Sequence, residues 1–225
     1  MMKNYEYGSP LGEVAAIKKG TFTGNNDLFF RAWYEVNWKQ IDFGISEPHE
    51  IAQSHYVPMN SGGHYRRWYG NRTSVIKFDR HHYNLIQQKG GHRNPQYYFR
   101  KSAAWTKITT GNFSVRISEV GFINNDASMA VYETRIALEI LAALLNSKVS
   151  QYYLNTVNES LNYTTGNVAS IPYKNCDSDI VKQIAKECIN ISKADWDAFE
   201  TSWDFKRHPL LPKRNGEQET SADMK

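Results

Sequence analysis

The sequence predicts a mixed α/β fold, an irregular or curved sheet with supporting helices toward the C-terminal end, and three observations carry that reading. Short strand-like segments separated by Gly, Asn and Asp turns run from residue 56 to residue 123. From Ala130 onward the apolar residues recur at helical spacing instead. Residues 61–116 carry eleven Lys and Arg against one acid, Asp79, and interleave them with Trp, Tyr and Phe, while the rest of the chain is acidic on balance. Strands that alternate buried and exposed positions can fill a core with the rings and leave the charges on loops.

Element by element, residues 1–12 are polar and turn-like, and residues 14–17 suit a short strand before the Lys18-Lys19-Gly20 break. Residues 21–27 offer turn residues and an Asn or Asp cap for the segment 28–36, whose Phe29, Phe30, Trp33 and Tyr34 form a core-facing stripe in either helix or strand. Strands are expected at 56–58, 65–69, 74–78, 96–100, 105–108, 114–117 and 121–123. A helix over 135–157, with Glu133 or Thr134 near its start, has a break near Asn146-Ser147. Residues 161–172 read as an ordered turn and a short strand ending at proline. Asp177 or Ser178 then caps a helix through Cys188 or Ile189, and 193–201 forms another after a turn at Ile191-Ser192. The domain boundaries expected from this pattern are a recognition domain over 1–175, a helical extension or junction over 176–205, and a flexible polar tail over 206–225.

The localised charge marks a nucleic-acid-facing surface, since Lys and Arg neutralise phosphates and release counterions. Arg66, Arg67, Arg72 and Arg93 stand beside glycine or asparagine positions where a loop can approach a groove, and arginine pairs with guanine through two donors. Asn71, Asn94 and Gln96 have the amides that match adenine, although for any one of these residues a phosphate or a contact within the protein is the plainer use. Lys77, Arg80, Arg100, Lys101, Lys107 and Arg116 extend the DNA-binding set, and Trp68 and Tyr69, like Tyr97 and Tyr98, have rings that suit either base stacking or the core. His64, His81, His82 and His92 add charge if their pKa values rise.

Several chemistries are disfavoured. Cys176 and Cys188 have no CxxC spacing, and the histidines form no liganding repeat, so no metal site and no disulfide framework is expected. Gly24, Gly62-Gly63 and Gly90-Gly91 make neither a phosphate loop nor a dinucleotide motif. The pairs Asp177/Asp179 and Asp195/Asp197 are better explained as solvated helix starts than as nuclease ligands. No apolar run approaches a membrane span and no signal-peptide core is present, so a cytoplasmic location is expected.

These stretches also resemble a known family. Residues 20–27 (Gly-Thr-Phe-Thr-Gly-Asn-Asn-Asp), 31–36, 67–71, 106–116, 144–149, 161–172 and 191–205 are similar to the target-recognition region of the bacteriophage-exclusion (BREX) adenine-specific DNA methyltransferases, related more broadly to combined restriction-modification enzymes. The resemblance implies a target-recognition-domain-like fold that grips duplex DNA for a methylating domain using S-adenosylmethionine. It points to residues 67–71 and 107–116 as DNA contacts or their scaffold, and to 144–149 and 166–172 as structural. The family's catalytic Asn/Asp-Pro-Pro-Tyr/Phe motif is missing here, so no catalytic residue and no cofactor of its own are expected for this chain. The partners implied are duplex DNA and a separate methyltransferase domain or other phage-defence subunits. A protein-interaction module, a split methyltransferase subunit or a phage-defence mimic is the alternative, with a small nuclease further behind.

Overall fold

The computed structural model describes residues 8–47, 51, 54–132, 135–158, 160–175 and 178–211. In chain order the elements are β1 (Ser9–Pro10), α1 (Leu11–Val14), β2 (Ala16–Lys18), α2 (Asn26–Phe29), β3 (Phe30–Ala32), β4 (Tyr56–Asn60), β5 (Ser74–Lys77), α3 (Arg80–Gln88), β6 (Ser102–Thr106), β7 (Val115–Ser118), β8 (Ile123–Asn124), β9 (Ser128–Tyr132), α4 (Leu138–Leu145), α5 (Lys148–Val157), α6 (Thr165–Ala169), β10 (Pro172–Tyr173) and α7 (Asp179–Asp197). They form a mixed α/β fold with open, irregular sheets and C-terminal helices, consistent with a target-recognition-domain-like arrangement.

One four-stranded sheet, ordered β2-β9-β6-β7, is antiparallel throughout. Its alternation is physical: Ala103, Trp105, Val115, Ile117, Met129 and Val131 point into the main core with the helices, whereas Ala104, Ala130 and Tyr132 fill a smaller cluster on the other face. The second sheet, ordered β3-β5-β4-β8, is antiparallel except for the β4–β8 pair. Phe29, Val57, Met59, Ile76, Phe78, Ile86 and Phe99 make its core.

A buried polar seam joins the sheets. Asn60 on β4 donates to Ser118 Oγ on β7 at 2.8 Å and to Asn124 Oδ1 on β8 at 2.9 Å, and Asn124 Nδ2 donates to the Tyr132 hydroxyl on β9 at 3.0 Å. Burial pushes the Tyr132 phenol up to about 12, a rise that the Asn124 hydrogen bond opposes, so it stays neutral.

The differences from the sequence reading have local causes. The 65–69 segment forms only a single bridge, Trp68 to Arg116, because Trp68 (φ 70°) and Asn71 (φ 57°) lie in the left-handed region, which breaks strand pairing. Likewise 96–100 is a short 3-10 turn at Pro95–Tyr97, bracketed by left-handed Asn94 and Phe99. The segment 28–36 divides into α2, β3 and a 3-10 turn, capped by Asn25 as expected, and Tyr34 lies exposed. α3 arises where only sheet and loops were expected: Asp79 caps it by accepting from the His82 amide at 3.0 Å. Ala130 opens no helix but sits in β9, in the middle of the first sheet.

The break at Asn146-Ser147 is present. Ser147 caps α5, and the Asn146 side chain pairs with the Val115 backbone through both its oxygen (2.9 Å) and its amide (3.0 Å). β10 begins at its proline instead of ending there, and follows α6, which Thr164 and Asn167 close with reciprocal caps. α7 runs unbroken from its Ser178 cap through the expected turn at Ile191-Ser192, so Asp195 and Asp197 stand at its C-terminal end and not at a helix start. Glu133, Thr134, Cys176, Asp177 and residues 212–225 lie outside the described residues.

Asn60→Ala leaves Ser118 and Asn124 each short of a buried partner, which costs about 1–3 kcal/mol. Urea unfolding followed by circular dichroism measures that loss.

Candidate nucleic-acid interface

Residues 61–73 form a loop whose reversals at Gly62, Gly63, Trp68, Gly70 and Asn71 all use positive φ. Its middle is pinned on β7: the Trp68 amide donates to the Val115 carbonyl at 2.9 Å, and the Ile117 amide donates to the Trp68 carbonyl at 2.8 Å. Asn71 closes the loop by donating to the His64 carbonyl at 2.8 Å. Arg66 turns to α7, where it pairs with Asp195 and lies 5.0 Å from the Trp196 ring centroid.

Three predicted DNA contacts prove to be internal. Tyr69 is 1% exposed, with the Arg72 guanidinium 3.8 Å and the Lys193 ammonium 5.1 Å from its ring centroid. Arg72, 4% exposed, donates to the Ile117 carbonyl at 3.1 Å and also faces Phe122. Arg116, 5% exposed, reaches Thr106 Oγ1 at 3.3 Å and the Gly62 carbonyl at 3.5 Å. Burial lowers the pKa of both guanidinium groups. For Arg116 burial, followed by the nearby Arg66 charge, brings it to about 10, so it remains charged at neutral pH. For Tyr69 and Arg72, the adjacent Gly70 and Asn71 that suggested a groove-reading loop adopt positive φ in a turn that carries both side chains inward.

Three partly exposed cations, Arg67, Arg93 and Lys107, stand around a cleft. A cavity of about 240 Å³ is lined by residues 21–23, Asn26, Phe30, 106–108 and 125–127. Arg93 and Lys107 meet at its rim on one carboxylate, Asp126, at 2.5 and 3.3 Å, and Arg93 lies 5.3 Å from the exposed Phe22 ring centroid. A second hollow, sharing Thr106, Ile108 and Ala127, continues to Gly63, His64 and Tyr65, and there Arg67 stands 5.7 Å from the exposed Tyr65 ring centroid. A third lies beyond the 109–112 loop, against Asn155, Asn158 and Ser160. The uncharged, hydrogen-bonding residues Thr109, Thr110, Gly111 and Asn112 therefore project between hollows. Their base is held where the Thr109 amide donates to Leu161 at 3.2 Å and the Tyr163 amide donates to Lys107 at 2.8 Å.

The other candidates are scattered. Arg80 is exposed at the start of α3, and Lys77 lines a separate hollow with His55, Asp79, His81 and His82. Arg100 is exposed beside Tyr97, and Lys101 pairs with Glu139 at 3.9 Å. Asn94 reaches the Lys19 carbonyl at 3.4 Å, and Gln96 is exposed. Trp68 is half-buried against the main core, and Tyr98 is buried. Burial pushes the His92 ring down, so it adds no charge at neutral pH. Sequence reasoning missed Phe22, Tyr65, Ile108 and Asp126, which lie at the edges of the basic block or outside it. The family-like motif at 20–27 was the signal that pointed to the first.

Among the described residues no cluster of three or more His, Cys, Asp or Glu side chains suits a metal ion, and no helix is long and apolar enough to cross a membrane.

Comparison of the sequence with known proteins shows that the chain is homologous to a domain-sized segment of adenine-specific methyltransferases of the BREX/PglX type. It is 32% identical over 199 residues to the adenine-specific methyltransferase BrxX of Escherichia coli O9:H4 (strain HS), covering 87% of this chain and 16% of that protein. Against the adenine-specific methyltransferase PglX of Lacticaseibacillus casei (strain Zhang) it is 32% identical over 211 residues, covering 89% of this chain and 18% of that protein. The chain thus spans less than a fifth of the length of these relatives. No family model matches it.

Two outcomes test these assignments. Arg72→Ala leaves the buried Ile117 carbonyl without its donor and the Tyr69 and Phe122 rings without their packing partner, and costs about 2 kcal/mol, whereas Arg80→Ala at the exposed start of α3 changes stability by less than about 0.5 kcal/mol in urea unfolding. Burial alone would raise the Asp79 carboxyl, but hydrogen bonds from the His82 amide and from the His82 and His55 rings bring it down to about 2. A carboxyl lowered in the fold stabilises at pH values above its ordinary 3.8 and loses that contribution as pH falls through about 2. Asp79→Ala is therefore about 1–2 kcal/mol less stable at neutral pH, and the gap closes in acid, as thermal melts across pH would record.

Proposed function

We propose that this chain is a non-catalytic target-recognition module that binds duplex DNA sequence-selectively for an adenine-N6 methylating assembly in phage defence. The observation that supports it most is the cleft mouth, where Arg67, Arg93 and Lys107 stand beside the exposed rings of Tyr65 and Phe22 and flank the polar loop 109–112. Cations at the rim suit phosphates, and the uncharged loop between them suits base edges. In this reading residues 1–175 carry recognition and 176–205 form a junction to the methylating domain. That domain or subunit binds S-adenosylmethionine and receives the adenine, and the assembly works in the cytoplasm.

A second reading, a protein-interaction module, draws on exposed apolar residues, Ile180, Ile184 and Ile191 along α7 and, separately, Val149 and Tyr152 on α5, that suit contact with another phage-defence subunit.

Fluorescence anisotropy of the purified chain with duplex, single-stranded and RNA probes across salt separates the two. Under the first reading duplex binding weakens with salt, and Arg67→Gln, Arg93→Gln or Lys107→Gln each lowers the salt slope by about one unit, while Lys186→Gln on exposed α7 leaves it unchanged. Absence of duplex binding at low salt, with tight binding to a defence subunit, would establish the second.

A further inference from the structure

A carboxylate in a cleft that takes up phosphates works against affinity, yet Asp126 sits there, with its side chain about one-third exposed. Its position is fixed from several sides. The Asp126 amide donates to the Thr21 carbonyl at 2.8 Å, the Asn125 amide donates to Asn60 at 3.1 Å, and the Lys107 amide donates to Ala127 at 2.9 Å. Asn125 Oδ1 accepts from the Ala127 amide at 3.0 Å, which tightens the turn. Opposite, the backbone at Gly20 approaches so closely that a Cβ there would lie 2.0 Å from the Asn125 carbonyl oxygen. The 20–27 motif and the 124–127 turn are thus a single rigid wall, and the carboxylate is a placed acceptor facing Phe22, Asn26 and Ile108 around the cavity.

Resting on the duplex-binding reading above, we propose that Asp126 is a specificity-determining residue that accepts a hydrogen bond from the exocyclic amino group of cytosine or adenine. Carboxylates accept from cytosine N4, and adenine N6 offers the same donor. Guanine and thymine present only acceptors along the major-groove edge, so a carboxylate rejects them by leaving like charge against like. Arg93, on Oδ1, and Lys107, on Oδ2 of this carboxylate in the free protein, take the flanking phosphates when DNA enters, which frees the carboxylate for the base. Asp126 thus lowers affinity for DNA in general and restores it for one base class.

The test is selection from a randomised duplex pool with the whole chain, its Asp126→Asn variant and its Lys107→Gln variant, followed by anisotropy on the selected and scrambled duplexes. Wild type selects cytosine or adenine at one position with roughly tenfold preference, the cost typical of one mismatched pair. Asp126→Asn binds scrambled duplex more tightly and loses that preference. Lys107→Gln, which keeps the carboxylate, binds more weakly and retains it. A wild-type motif that Asp126→Asn selects unchanged overturns this inference alone. A wild-type chain that binds no duplex overturns it together with the function on which it rests.

Discussion

The polar seam between the two sheets is the constraint on which the rest of the molecule depends. Four buried side chains, Asn60, Ser118, Asn124 and Tyr132, come from four strands and two sheets, and each hydrogen bond among them has a direction as well as a strength. Apolar contact alone would let two open sheets slide, because it is non-directional. Amides that must find their partners or remain unsatisfied in a low-dielectric interior fix one relative placement. That placement sets the turn after Asn124, the turn carries Asp126, and the cleft wall follows from it.

β7 shows how one short strand serves both sides of this construction. Val115 and Ile117 enter the helix-backed core, while Ser118 joins the seam and Arg116 is buried beneath the 61–65 loop. Its outer edge, which would otherwise present free amides and carbonyls, is closed by the Trp68 backbone and by the Asn146 side chain. The basic block therefore divides by function. Arg72 and Arg116 are spent inside as bridges between loop and sheet, Arg66 ties the loop to α7, and a smaller group of cations faces solvent. Charge density in the sequence overstates the positive surface, because a guanidinium has enough donors to act as a structural linker.

The sheet-plus-helices class was legible because its two signals, alternation and helical period, are carried by many residues at once. The expected strands at 56–58, 74–78, 105–108, 114–117 and 121–123 each overlap a real strand, whereas 65–69 holds a single bridge and 96–100 a 3-10 turn. The exceptions in detail trace to left-handed Trp68, Asn71, Asn94 and Phe99, conformations that bulky residues adopt only when tertiary contacts hold them there. α3 was hidden because Ile86 is its one fully buried residue, too little apolar content to set a period. At the candidate interface, residue type identified Arg93 and Lys107, but only the folded chain shows them meeting at Asp126, an acid from a segment distant in sequence.

The pairing of β2 with β9, and of β1 with β10, joins the first residues of the described chain to segments that come much later. Such long-range closure is slow, because a large loop must be ordered before its contacts reward it. During synthesis the edge of β9 therefore has its early partner waiting unpaired, and α1, which packs on α6, waits with it. A chain built this way is vulnerable while nascent, and its assembly is governed by the late-arriving strands β9 and β10 more than by the basic segment that precedes them.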